Sequence, residues 1–162
     1  MLTEEQLKNI SDTVYLLDSS KNDFRPDLRT NLSIDFDYRK PNLGKYKILK
    51  VEDNQENGMQ AMAVAPIGAD GQPDYSQITI TYAGTNFWDS KDLDTDAQML
   101  VMGNTKKLHV KMGESMYRTV ESQAVSALRF AEEVRKQFRN SQITTTGHSL
   151  GEALAIYVAL KN

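Results

Sequence analysis

Gln142-Ile143-Thr144-Thr145-Thr146-Gly147-His148-Ser149-Leu150-Gly151-Glu152-Ala153-Leu154-Ala155 reads as a β-branched strand, a serine between two glycines, and the start of an apolar helix. A strand that turns at once into a helix leaves little room at the corner. Glycine therefore belongs at 147 and 151, where a side chain would collide with neighbouring backbone. Ser149 is left exposed at a helix N-terminus, where free N–H groups and the macrodipole stabilise an oxyanion. Gly-x-Ser-x-Gly between a strand and a helix is the pattern of a serine nucleophile. Taken alone, Ser149 also suits an ordinary helix N-cap. Its position between Gly147 and Gly151, and a donor loop upstream, favour the nucleophile.

The 162 residues are expected to form a single domain, 1–162, with a core of useful size. With 40% hydrophobic and 25% charged residues, the chain has the composition of a globular protein and not of a disordered one. A net charge of −3 without a basic stripe argues against nucleic acid as a partner. No apolar run approaches the ~20 residues that cross a bilayer, and the acidic, polar start Met1-Leu2-Thr3-Glu4-Glu5-Gln6 is not a Sec-type signal peptide. Localisation is left open between the cytoplasm and a leaderless export route. The absence of cysteine removes disulfides, thiolate chemistry and cysteine-zinc sites together.

Elsewhere the chain alternates between helix and strand signals. Thr3-x-x-Gln6 fits a capping box, and Leu7, Ile10, Val14 and Leu17 mark one helical face behind it. Residues 18–44, broken by Pro26, Pro41 and Gly44, read as a long irregular segment, so 1–45 is set apart from a core at 46–162. Lys47 to Asp53 and Met59 to Ala65 flank Asn57-Gly58 as the arms of an antiparallel hairpin. Gln77 to Tyr82 is a β-branched strand, and a short helix is expected over 92–102. Tyr117, Val120, Ala124, Leu128, Ala131, Val134 and Phe138 predict one long helix from Ser115 to about Arg139. The order requires a parallel crossover from the Ile80 strand to the Ile143 strand.

An acyl-transfer site needs N–H donors for the charged oxygen of its tetrahedral intermediate. One is the N–H after the nucleophile, from Leu150. The other is expected from Tyr82-Ala83-Gly84-Thr85-Asn86, the loop after the Ile78/Ile80 strand, with Thr85 as donor. Tyr82-Ala83-Gly84-Thr85, then Leu93-Asp94-Thr95-Asp96, then Lys111-Met112-Gly113-Glu114, then Thr146 to Ala155 follow one another in an order that resembles the class 3 (fungal-type triacylglycerol) lipases. The resemblance spans roughly 46–162. It implies an α/β class, an α/β-hydrolase fold with an N-terminal helix, an antiparallel hairpin and a parallel crossover to the elbow. It also implies a serine ester hydrolase acting on lipid or small esters. By carry-over Ser149 is the nucleophile, Thr85 and Leu150 form the oxyanion hole, and Gly147, His148 and Gly151 support the elbow. Ala83 stands where the family carries arginine, Leu93 where it carries tryptophan, and Glu152 where it carries a second glycine.

The family order places an aspartate and then a histidine after the serine, as the acid and base of the triad. After Ser149 the only acid is Glu152, and no histidine follows. Of the two histidines, His148 is expected beneath the elbow and His109 precedes the long helix. The expectation is an incomplete fold: the N-terminal portion of a longer lipase, or a truncated form that pairs with something else, such as the rest of the protein or a second copy. The other reading is a catalytically dead hydrolase-like module that binds a protein or lipid. No metal or cofactor is implied, since Asp92-x-Asp94-x-Asp96 is followed by Ala97 and Gly103 where a calcium loop needs glycine and glutamate. Asp96 is instead a candidate to hold the oxyanion loop, by resemblance. The methionines around His109 and the single Trp88 read as core or sheet-end packing, with a lipid-facing surface as the alternative.

Overall fold

The computed structural model describes residues 1–83, 107–111 and 116–161. Helix α1 (Glu4–Thr13) opens with the expected capping box, in which Thr3 and Gln6 satisfy each other's backbone N–H groups. It runs into a 3-10 turn (Val14–Leu17). Strands β1 (Ser33–Asp35), β2 (Lys45–Asn54), β3 (Met59–Pro66) and β4 (Gln77–Ala83) follow. Then come β5 (Lys107–Lys111), β6 (Tyr117–Glu121), α2 (Gln123–Gln137), β7 (Gln142–Gly147) and α3 (Leu150–Lys161). The main sheet has the order β1-β2-β3-β4-β7, antiparallel as far as β4, with β7 parallel to β4. β5 and β6 pair as a separate hairpin.

Strand periodicity sorts the side chains into two layers. Met59, Ala61, Ala63 and Ala65 of β3 and Ile78, Ile80 and Tyr82 of β4 face the helices α2 and α3, meeting Phe130, Val134, Leu154 and Val158. The alanines let α2 approach the sheet closely. The intervening Met62 and Val64, with Tyr46, Ile48 and Ala83, face Ile10, Val14, Leu17 and Phe36 on the other side. Phe130 is fully buried edge-on to Tyr82, and burial of such a side chain contributes about 1.5–3 kcal/mol.

Between β4 and β7 the α1 face is polar instead. Thr79 and Thr144 pair at 3.0 Å, and Ser11 of α1 bridges Thr81 at 3.4 Å and Thr146 at 3.3 Å. These buried and half-buried hydroxyls satisfy one another, so the layer avoids the penalty of unpaired polar groups.

Two sequence expectations change. The long helix predicted from Ser115 begins only at Gln123, because Ser122 is an N-cap in extended conformation whose side chain accepts from the Val125 N–H at 3.3 Å. Tyr117 and Val120 therefore stand in β6, where aromatic and β-branched residues fit a ladder with β5. The segment read as irregular contains β1, which pairs with β2. The region expected as a helix over 92–102 lies outside the described residues, as do Trp88 and the Asp92–Asp96 cluster.

The hairpin turn expected at Asn57-Gly58 is present, with Gly58 at φ +74° and its N–H on the Asn54 carbonyl at 2.7 Å. Asn57 itself turns inward and is buried. Its amide nitrogen donates to the Glu121 carbonyl at 3.0 Å and to Ser126 Oγ at 2.9 Å, and its oxygen accepts from the Met59 N–H at 3.1 Å. This one residue joins the β2–β3 turn to the β6–α2 junction. Asn57→Ala leaves those groups unsatisfied in the interior and is expected to destabilise the protein by about 1–3 kcal/mol in urea unfolding. A midpoint equal to that of the parent protein would show that the tie carries no stability.

Candidate active site

β4 and β7 run parallel, in a register that sets Tyr82 beside Gly147. Their C-terminal ends thus emerge together, and the chain leaves β7 through His148 and Ser149 directly into α3. A Cβ at Gly151 would lie 2.0 Å from the Tyr82 carbonyl oxygen, and one at Gly147 would lie 2.4 Å from the Gly151 carbonyl carbon. Real Cβ contacts do not reach such distances, so both positions demand glycine for close backbone approach. The first turn of α3 lies against the end of β4 because nothing projects between them.

Ser149 occupies the apex, exposed, with φ +54°. A left-handed conformation in a non-glycine residue costs about 1–3 kcal/mol and persists only where the surroundings hold it. Here the His148 carbonyl accepts from the Gly151 N–H at 2.9 Å and from the Tyr15 hydroxyl at 3.0 Å, and the Ser149 carbonyl accepts from the Glu152 N–H at 3.1 Å. Three bonds at about 0.5–1.5 kcal/mol each offset that strain. The Leu150 N–H opens α3 and has no acceptor within the helix. Glu152 is exposed on the first turn, near the positive end of the helix dipole.

All but one of the expected site residues can now be placed. Ser149, Leu150, Gly147, His148 and Gly151 form one continuous turn. Gly84 and Thr85 lie outside the described residues; Ala83 ends β4 next to the turn. The His148 ring is directed to α1, with Nε2 3.3 Å from Asp12 Oδ1. Asp12 also pairs with Lys8 at 2.8 Å. His109 stands in β5 opposite Thr119. Among the described residues no His, Cys, Asp and Glu cluster could hold a metal ion, and no helix is long and apolar enough to cross a membrane.

Sequence reasoning missed the part played by α1. Tyr15 and Asp12 reach the elbow across more than a hundred residues of chain. Burial, and secondarily the Asp12 carboxylate, raise the pKa of the Tyr15 hydroxyl, which keeps it a donor to the His148 carbonyl. The amphipathic spacing of α1 marks only its apolar face and carries no sign of these polar contacts.

The family model described as lipase (class 3) matches residues 79–161, just over half of the chain, from β4 through the end of α3. The match starts well after residue 46, where the resemblance was expected to begin. Among solved structures, the native lipase propeptide complex of Rhizomucor miehei is 18% identical, with 96% of this chain covering 44% of that one at a TM-score of 0.45. A mutant form of MDLA from Penicillium cyclopium is 15% identical, with 97% covering 53% and a TM-score of 0.49. Lipase II from Rhizopus niveus is 14% identical, with 96% covering 52% and a TM-score of 0.47. The chain spans about half the length of these proteins. No curated protein sequence matches it.

The glycine geometry is testable without any activity. Gly151→Ala is expected to cost about 3 kcal/mol or more in chemical denaturation, because the Tyr82 carbonyl is backbone and must shift. Gly71→Ala is the comparison: it carries a positive φ, which Gly151 does not, but has open space around it, so its cost should be about 1–2 kcal/mol. Equal costs at the two positions would contradict the close-approach account.

Proposed function

The chain belongs to the class 3 lipase family, and from that premise we propose that Ser149 is the nucleophile of a serine ester hydrolase acting on lipid esters. The mixed sheet, with β7 parallel to β4 and a helix springing from its end, is part of the α/β-hydrolase fold. The observation that carries the functional reading is the Ser149 turn: a positive φ on a serine, held between two glycines that no other residue can replace. Strain of this kind at an exposed hydroxyl is characteristic of sites where a side chain must be presented to a ligand.

In this reading the Ser149 Oγ adds to the ester carbonyl as a base removes its proton. The carbonyl oxygen becomes an oxyanion that accepts from the N–H groups of Leu150 and Thr85. Collapse of that intermediate expels the alcohol, which receives the proton, and leaves an acyl group on Ser149. Water then releases the acid by the same steps. Gly147 and Gly151 act by allowing the turn. Glu152 carries a negative charge near the developing oxyanion, which weakens the hole if the carboxylate turns toward it.

The base is assigned to a group other than the two histidines of this chain. His148 is engaged with Asp12 on α1, and His109 belongs to the β5–β6 hairpin. A segment supplying the base belongs beside the β7 edge of the sheet and the apolar side chains Ile156 and Leu160, which are exposed on α3. A second copy of the chain is the alternative source.

The test uses the natural protein at its full length. Ser149→Ala is expected to lower hydrolysis of p-nitrophenyl butyrate by at least ~10³-fold, with little change in thermal stability. A fluorophosphonate probe should add its mass to the peptide carrying Ser149. Turnover that survives Ser149→Ala would place the nucleophile elsewhere. A full-length protein with neither turnover nor labelling would favour the dead module, which binds a protein or lipid partner through the same fold.

A further inference from the structure

The turn that carries Ser149 is held from below by the N-terminal helix and its 3-10 extension, Tyr15 lying 133 residues from His148 in sequence, and the contacts are specific to the peptide that sets the serine's conformation. The φ of Ser149 is the torsion about its N–Cα bond, so it depends on how the His148–Ser149 peptide plane is oriented. That plane is fixed by its carbonyl, which accepts both the Gly151 N–H at 2.9 Å and the Tyr15 hydroxyl at 3.0 Å. The first of these bonds closes the tight turn itself. The second comes from the 3-10 extension of α1, and Tyr15 is packed against the buried cluster on that face. The other end of His148 is held as well, its Nε2 lying 3.3 Å from Asp12 Oδ1. One residue further into α1, Ser11 is bonded to Thr146 at 3.3 Å. Ser11 and Asp12 of α1 and Tyr15 of its 3-10 extension thus grip the strand end and the peptide immediately before the serine.

We propose that Tyr15 and Asp12 are positioning residues for Ser149, acting through the carbonyl and the ring of His148. The inference rests on the reading of Ser149 as nucleophile, and it adds that the N-terminal helix holds the serine in its reactive orientation. The two residues differ in weight. Tyr15 is half-buried and satisfies one of two lone pairs on a carbonyl with no freedom to move. Asp12 is half-exposed and shares its carboxylate with Lys8, and solvent-exposed pairs of this kind contribute little. Loss of the tyrosine hydroxyl should therefore matter more than loss of the aspartate charge. Without it the peptide plane is free to rotate toward the ordinary right-handed region, and the hydroxyl of Ser149 leaves the line of attack.

The experiment compares Tyr15→Phe, Asp12→Asn and Gln6→Ala in the full natural protein. Gln6 caps α1 and holds the Leu43 carbonyl at 2.7 Å, so its loss weakens the same helix without touching the elbow. Tyr15→Phe is expected to lower kcat on a p-nitrophenyl ester about tenfold at unchanged KM. The Gly151 amide should exchange its hydrogen about tenfold faster. Asp12→Asn should lower kcat about twofold, and Gln6→Ala should leave kcat and Gly151 exchange unchanged while lowering the melting temperature. Unchanged kcat and exchange in Tyr15→Phe would overturn the proposal, as would an equal loss of kcat in Gln6→Ala. If the parent protein shows no Ser149-dependent turnover, the nucleophile assignment fails. Gly151 exchange then still decides whether Tyr15 holds the turn.

Discussion

The carbonyl of Tyr82 leaves no space for a side chain at residue 151, and the arrangement of the serine turn depends on that contact. β7 can lie parallel to β4, with Gly147 beside Tyr82, only if the helix that follows starts almost on top of the β4 backbone. Once α3 starts there, the link of two residues between strand and helix has few conformations available. The one adopted puts Ser149 in the left-handed region and leaves it exposed. The strain at the serine is thus a consequence of close packing between a strand end and a helix start. It is sustained by the three hydrogen bonds around it.

The two faces of the sheet support this corner by different means. Toward α2 and α3 the contact is apolar: Ile78, Ile80 and Tyr82 meet Phe130, Leu154 and Val158. Tyr82 adds a buried hydroxyl donating to the Ala127 carbonyl at 3.0 Å. Apolar packing supplies the larger share of the stability but tolerates small displacements. Toward α1, the β4–β7 seam is lined by Thr79, Thr81, Thr144 and Thr146, with Ser11 inserted among them. Hydroxyl pairs are directional and costly to misalign, so this face sets register where the other provides mass. The strand that bears the serine turn is gripped between a tolerant layer and an exacting one.

Much of this was readable from residues close together in sequence. The capping box at Thr3 and Gln6, the arms of the Asn57-Gly58 hairpin, the β4 and β7 strands and the start of α3 at Leu150 all follow from local rules. Periodicity misled at Ser115–Arg139. Tyr117 and Val120 fall at helical spacing from Ala124, yet both are residue types that suit a strand, and two positions are too few to separate a helical turn from a short strand. Pairing with Lys107–Lys111 decided it, helped by the Ser122 cap. The inward turn of Asn57, which ties the hairpin to α2, has no local signature either, because asparagine in a turn usually faces water.

By itself the sequence determined what sits at the corner: an exposed serine at a strand-to-helix turn, two glycines that have to flank it, and a helix whose N–H groups open beside it. Steric exclusion and capping act over a few bonds and are written in neighbouring residues. Only the tertiary structure decided what holds that corner. Tyr15, Asp12 and Ser11 meet His148 and Thr146 because α1 crosses the polar seam of the sheet. Nothing in the spacing of α1 marks those three as different from other polar residues on its surface. A hydrogen-bond partner chosen across more than a hundred residues depends on how whole layers stack, and that choice exists only once the sheet has formed.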